Sequence, residues 1–212
     1  MDQQGPLSQE RVTAIYDRNA RFYDTVEAGV ERVALARHRH RLFEDVHGRV
    51  LELGIGTGKN LMYLVERDDI ELIGIDPSTR MLERAAARAR DLGREVRLHA
   101  ASAQRLPFDD ASFDAVVASF VFCSVVNPVA GLCEARRVLR RGGTLRLLEH
   151  QRPTTPWLAP LFDLANPVAV RITGANVNRR TEENVEAAGF DDVSSMHLDR
   201  FGILRLIEGH NA

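Results

Sequence analysis

Cysteine is scarce in this chain of 212 residues: Cys123 and Cys133 are the only two. They are too few and too far apart for a CxxC metal site, no metal is expected, and unpaired thiols point to the inside of a cell. Lysine is scarcer still, because of 28 basic residues only Lys59 is not arginine. A formal net charge of −2 lacks the basic surplus that nucleic-acid binding leaves in a sequence, so no nucleic acid is expected as a partner. No apolar run approaches the roughly 18 residues that a bilayer span requires. The start, Met1 to Pro6, has neither the basic beginning nor the apolar centre of a signal peptide. A cytoplasmic location is therefore expected. The 44% hydrophobic and 27% charged content suits one ordinary globular domain, with no internal repeat.

What is present centres on Leu51-Glu52-Leu53-Gly54-Ile55-Gly56-Thr57-Gly58. An apolar run carrying one acid enters three glycines at alternate positions, and Lys59 to Leu64 reads as the first turns of a helix. Glycines let the backbone lie against a ligand where a Cβ would collide, and a helix N-terminus offers unpaired N–H groups to it. A tight turn with no ligand is the plain alternative.

Around this point the pattern alternates. Residues 1–7 are expected to be disordered, and a helix is expected from Ser8 through Val12, Ile15 and Tyr16. A second is expected from about Glu27 to Val46, with Leu35, Leu42 and Val46 on one face and Arg32, Arg37, Arg39, His40 and Arg41 on the other. That basic face is a solvated surface or, in a second reading, a membrane contact. Strands are expected at Ile70–Ile75, Val96–His99, Phe113–Phe122 and Thr144–Leu148, with a closing pair at Val193–Leu198 and Ile203–Ile207. Helices are expected after Ser78, from Pro128 to a stop at Gly142-Gly143, and from a Thr181 cap to Ala188. Strands alternating with helices imply an α/β fold with a mostly parallel sheet. Gln151 to Val177 interrupts the alternation with four prolines and an apolar group that includes Trp157, Leu158, Leu161 and Phe162. It reads as a loop or short helix over a site, or as a packing insert.

Asp76 lies 18 residues beyond Gly58 at the end of the second strand, where a carboxylate can accept both ribose hydroxyls of an adenosine ligand. NAD, FAD and S-adenosylmethionine all fit that placement. The G-x-G-x-G spacing, Glu52 before the first glycine and the modest length disfavour a dinucleotide oxidoreductase. Four segments then resemble the Rossmann-like (class I) S-adenosylmethionine-dependent methyltransferases: Leu51 to Gly58; Gly74-Ile75-Asp76-Pro77-Ser78 with Met81-Leu82; Leu106 to Asp114; and Ala135 to Gly143. The resemblance covers about residues 14–150. It implies a seven-stranded, mostly parallel sheet with an antiparallel last strand and helices on both faces. It also implies S-adenosylmethionine as cofactor and S-adenosylhomocysteine as product. Residues 1–46 would form an N-terminal helical lid and 47–212 the cofactor-binding domain. The implied cofactor contacts are Glu52, Gly54, Ile55, Gly56, Gly58, Asp76, Pro77, Met81, Ser102, Ala103 and Ser119. Ser102 stands where the family often has an Asp, which leaves the adenine amino contact open.

Tyr16 and Tyr23, bracketing an arginine-rich turn, resemble the lid of phospholipid N-methyltransferases and quinone C-methyltransferases. Phe120 to Val125, Leu148-Glu149-His150 and Asn176 to Arg179 look like membrane-associated alkyl-thiol methyltransferases. All three imply a small or lipid-like hydrophobic acceptor, phosphatidylethanolamine first, with a thiol or a quinone ring as alternatives and peripheral membrane contact as a further expectation. Phe120, Phe122, Trp157 and Phe162 are the expected acceptor contacts. His150 is the candidate base, since an imidazole titrates near neutrality, and Tyr16 and Tyr23 are candidates for closing the site. An oxidoreductase and a catalytically silent binding module are the competing classes.

Overall fold

The computed structural model describes residues 7–18 and 36–212. The expected disorder of residues 1–6, the lid residue Tyr23, and Arg32 and Leu35 of the basic helix lie outside the described residues. Helix α1 spans residues 9–18, and α2 (Ala36–Arg39) runs into a 3-10 turn at His40–Phe43. Then come β1 (Gly48–Leu53), β2 (Ile70–Asp76), α3 (Thr79–Asp91), β3 (Arg97–Ala100) and β4 (Phe113–Ser119). They are followed by α4 (Pro128–Val138), β5 (Leu139–His150), α5 (Ala159–Thr173), α6 (Thr181–Ala187), β6 (Asp191–His197) and β7 (Leu204–His210).

The seven strands form one sheet in the order β3-β2-β1-β4-β5-β7-β6. β1 pairs in parallel with β2 and β4, whereas β7 is antiparallel to both β5 and β6. Successive strand residues face opposite sides of a sheet, and both sides are apolar here. Leu51, Leu53, Ile73, Ile75, Val116, Ala118, Leu145 and Leu147 join Leu132, Ala135 and Val138 of α4 in one core. Val50, Leu72, Ala115, Val117 and Leu148 join Ala85 and Ala89 of α3 and Leu42, Phe43 and Val46 in the other. Each fully buried aliphatic side chain contributes roughly 1.5–3 kcal/mol, which makes this two-sided burial the main support of the fold. Glu52 belongs to the second side and is 1% exposed, an acid inside an apolar layer.

Several elements differ from their sequence reading. The expected helix after the glycine turn is a 3-10 segment, Lys59–Tyr63, with Asn60 and Leu61 buried. The short connection back to β2 leaves no length for more. β4 stops at Ser119, because Phe120 takes a left-handed φ of 58° and turns the chain off the sheet. Leu139 is the first residue of β5, and Gly142-Gly143 lie within that strand instead of stopping a helix. The expected Thr181 cap is supplied from elsewhere. Gln151 Oε1 accepts from the N–H groups of Thr181 (3.0 Å) and Glu182 (3.4 Å), and Arg180 takes the cap position. The proline-rich insert is the 15-residue α5, which carries Pro167 inside it and ends at Gly174 with φ 77°. No helix among the described residues is long and apolar enough to cross a membrane.

Candidate functional site

The carboxyl ends of β1, β2 and β4 open onto one cavity, roofed by α1. Its wall includes Gly54, Ile55, Gly56, Asp76, Pro77, Met81, Ser102, Ala103, Ser119 and Phe120, together with Gln9, Val12, Thr13 and Tyr16 of α1. The atom-free space is about 920 Å³, part of it open to solvent. Gly54, Gly56 and Gly58 all have left-handed φ values of 58°, 56° and 75°, a conformation that L side chains avoid. A Cβ at Gly56 would meet nothing nearer than the Gly54 carbonyl oxygen at 3.8 Å and would occupy the cavity instead. At Gly58 it would lie 2.8 Å from Leu61 Cδ1 and 3.2 Å from Ala85 Cα, so that glycine serves the approach of α3 and is not on the wall.

Asp76 ends β2 and holds the turn. Its Oδ2 accepts from Gly56 N (3.1 Å) and its Oδ1 from Ser78 N (2.8 Å). Burial pushes its carboxyl up to about 6, against the pull of those two N–H groups and with a push from Asp17. Ser78 caps α3, its Oγ accepting from Met81 N (3.1 Å), and donates to Asp17 of α1. A second tie joins Tyr16 Oη and Ser124 Oγ at 2.6 Å, and Gln9 Oε1 accepts from Gln104 Nε2 at 3.3 Å. These bonds hold α1 across the cavity. Ser102 Oγ, in doubt as an adenine contact, accepts from Gln104 N (3.2 Å) within its own turn.

Glu52 does not reach the wall. Its Oε1 accepts from Asn60 Nδ2 (2.7 Å), while Oε2 is buried without a partner. Desolvation pushes it up to about 7 despite the Asn60 bond and the nearby Arg39. Arg39, 4% exposed, donates to Asn60 Oδ1 (2.9 Å) and Ser119 Oγ (2.8 Å) and lies 5.3 Å over the Phe120 ring. Both Arg39 and Asn60 line the cavity. The charge pattern of the sequence placed Arg39 on a solvated face, and only the fold brings it inside.

The expected acceptor and catalytic residues separate. Tyr16 and Phe120 are on the wall. Phe122 is fully buried in the core, Trp157 is 65% exposed, and neither Phe162 nor His150 lines the cavity. His150 stands behind Phe120, with ring centroids 6.1 Å apart in a stacked arrangement. Burial lowers its imidazole to about 4, so it is neutral at physiological pH and a weak proton acceptor. The ligand atoms of Cys123, Glu149 and His150 lie within 4.8 Å of one another. The cation beside this group is the guanidinium of Arg179, 3% exposed, whose charge acts on both Cys123 and Glu149.

Residues 51–147 match a family described as "Methyltransferase domain". The chain is 31% identical over 161 residues to the ubiquinone/menaquinone biosynthesis C-methyltransferase UbiE of Geobacter sp. (strain M21), covering 72% of this chain and 68% of that one. It is 39% identical to the phosphatidylethanolamine N-methyltransferase of Cereibacter sphaeroides over 105 residues, 49% of this chain and 51% of that one. A solved S-adenosylmethionine-dependent methyltransferase from Thermotoga maritima, described as a possible histamine N-methyltransferase, aligns over 94% of this chain and 99% of its own, at 25% identity and a TM-score of 0.69. The chain belongs to the Rossmann-like, S-adenosylmethionine-dependent methyltransferases, and the oxidoreductase and silent-module readings give way to that.

Proposed function

We propose that the cavity under α1 holds S-adenosylmethionine beside a ring-bearing apolar acceptor, and that the reaction is methylation of a quinol-type ring on carbon. The residues present fit the cofactor. Gly56 leaves the space that a side chain would fill, and Asp76 offers its remaining lone pairs to ribose hydroxyls. Arg39 and Asn60 would hold the amino-acid end, and Met81, Ser102 and Ala103 the adenine. When bound, the cofactor supplies a methyl group already activated on sulfur. The protein's task is then to align the acceptor and keep bulk water from the reacting atoms, with one proton released for each methyl transferred.

The observation that carries the acceptor reading is the Tyr16–Ser124 hydroxyl pair on the cavity wall beside Phe120. Phe120 offers a ring face, stiffened by His150 behind it and Arg39 above. Its left-handed φ costs of order 1–3 kcal/mol, which the surrounding contacts must hold. The hydroxyl pair can accept a hydrogen bond from a ring hydroxyl, which orients the ring and makes its carbon more nucleophilic, and the proton displaced from that carbon leaves to solvent. His150 supports Phe120 in this reading and is not the base. In this reading α1 is the lid of the site, and Leu42, Phe43 and Val46 belong to its body. The likeness to a quinone C-methyltransferase spans more of the chain than that to the phosphatidylethanolamine enzyme, which ranks N-methylation second.

The test is methyl transfer from labelled S-adenosylmethionine to a demethylated quinol, phosphatidylethanolamine and an alkyl thiol. Label on a quinol ring carbon is expected, with Tyr16→Phe and Ser124→Ala slowing turnover at least about tenfold. Transfer to the lipid amine or the thiol, with none to the quinol, would overturn the proposal.

A further inference from the structure

Helix α5 turns an apolar stripe to solvent. Trp157, in the turn before it, and Leu161, Leu164, Val168 and Ile172 recur at helical spacing and are 65%, 54%, 79%, 58% and 65% exposed. The opposite side buries Ala159 and Val170. A contiguous exposed stripe of this kind marks a contact with another protein or with lipid. The acid of α5, Asp163, is engaged by Arg152 (2.8 Å) and Asn178 (3.1 Å). At the carboxyl end of the helix, Arg171 shares a groove with Arg11, Ala14, Ile15 and Arg18 of α1, and all three arginines are exposed. Glu10 is the exposed acid of α1.

We propose that the α5 stripe lies in the interface of an anionic lipid bilayer, with Arg11, Arg18 and Arg171 on the headgroup phosphates. Three features choose lipid over a second copy of this chain. An apolar stripe edged by arginine, with a tryptophan at one end, matches the boundary between acyl chains and negative headgroups. A second copy would bring the same arginines to a stripe whose own acid is already paired. The docked face is also continuous with the site: α1 contributes Arg11 and Arg18 to the groove and Val12 and Tyr16 to the cavity wall. Gly174, closing α5, abuts Val12, Ile15 and Tyr16. Docking this face sets the edge of the lid against the bilayer, where an acceptor with an acyl or prenyl tail resides. That last step rests on the proposed function; the docking itself does not.

Trp157 is the one tryptophan of the chain, so its emission reports the contact directly. The full chain is mixed with vesicles of phosphatidylcholine alone and of phosphatidylcholine with phosphatidylglycerol, and binding is read by co-sedimentation and emission wavelength. A blue shift and sedimentation with the anionic vesicles are expected, weakened by salt. Arg171→Glu should weaken binding at least about fivefold, and Leu164→Glu/Val168→Glu should abolish it while circular dichroism and methyl transfer to a short-tailed quinol in solution stay unchanged. Equal binding to both vesicle types overturns the role of the arginines. No binding to either overturns the whole, as does concentration-dependent dimerisation that Leu164→Glu removes. Emission already blue in buffer and unmoved by vesicles means that another part of the chain covers the face, and it too overturns the proposal. Vesicle binding without quinol methylation would leave the docking standing and sink the acceptor reading.

Discussion

Glu52 near the end of β1 and Glu149 near the end of β5 are both buried, and desolvation pushes both carboxyls up to about 7. They do different work. Glu52 takes a side chain, Asn60, and through it joins Arg39 and Ser119 at the cavity wall. Glu149 takes backbone: its Oε1 accepts from the N–H groups of Val121 (2.8 Å) and Phe122 (3.0 Å), fixing the loop that turns Phe120 outward. Two equally buried acids thus organise the two ends of the site, one by tuning a polar network and one by stapling a turn. The end proposed for the cofactor is shaped by local backbone and carboxylates. The end proposed for the acceptor is assembled from β4, β5 and α1.

The largest effect expected lies at the cofactor end. Gly56→Val should abolish S-adenosylmethionine binding in calorimetry while far-UV circular dichroism persists, since the side chain enters empty space and not the core. Detectable binding would move the cofactor elsewhere. Glu149→Ala strips the acceptor from the buried Phe122 N–H, at about 1–3 kcal/mol, and from the part-buried Val121 N–H, so its melting temperature should fall well below that of Glu52→Ala. Equal losses would erase the contrast between the two acids.

Asp76→Ala should weaken cofactor binding at least tenfold, about 1.4 kcal/mol. With its carboxyl at about 6, Asp76 must give up a proton to receive two ribose hydroxyls, so wild-type affinity should decline as pH falls below about 6. In Asp76→Asn that slope should vanish, and a slope that survives would assign it to another group.

A smaller effect distinguishes charge from shape. Because the folded pKa of Glu149 is raised, its favourable contribution is present below its unfolded value near 4.5. It is lost as pH rises through about 7. Glu149→Gln should therefore match wild-type stability near pH 5 and exceed it near pH 8. His150 runs the other way, its depressed value adding stability above its unfolded pKa that is lost as pH falls through about 4. The smallest change is expected from His150→Phe, which keeps a ring behind Phe120 and should leave turnover within about threefold, where loss of a general base would cost about 10²–10⁴.

Much of the cofactor end was legible in the chain alone. Alternating apolar residues announced strands buried on both faces. The glycine triplet is one contiguous turn and Asp76 lies two residues before the Ser78 cap, so each geometry follows from backbone rules acting over a few residues. The spacing of 18 residues from Gly58 to Asp76 suits a strand–turn–helix–strand unit. Arg39, the Tyr16–Ser124 pair and the Gln151 cap on α6 were not legible, since each joins residues far apart in the chain and no local pattern records such a meeting. The reading failed in a consistent way where apolar character was taken as function. Phe122 and Trp157 look alike as large apolar residues near a strand end, yet one is sealed in the core and the other faces solvent. Sequence by itself determined the strand pattern, the glycine turn and the carboxylate that ends the second strand, because those depend on φ, period and spacing. Tertiary structure alone decided which arginine is buried, which aromatic meets the cavity and which helix face is left bare, because burial is settled by what packs opposite.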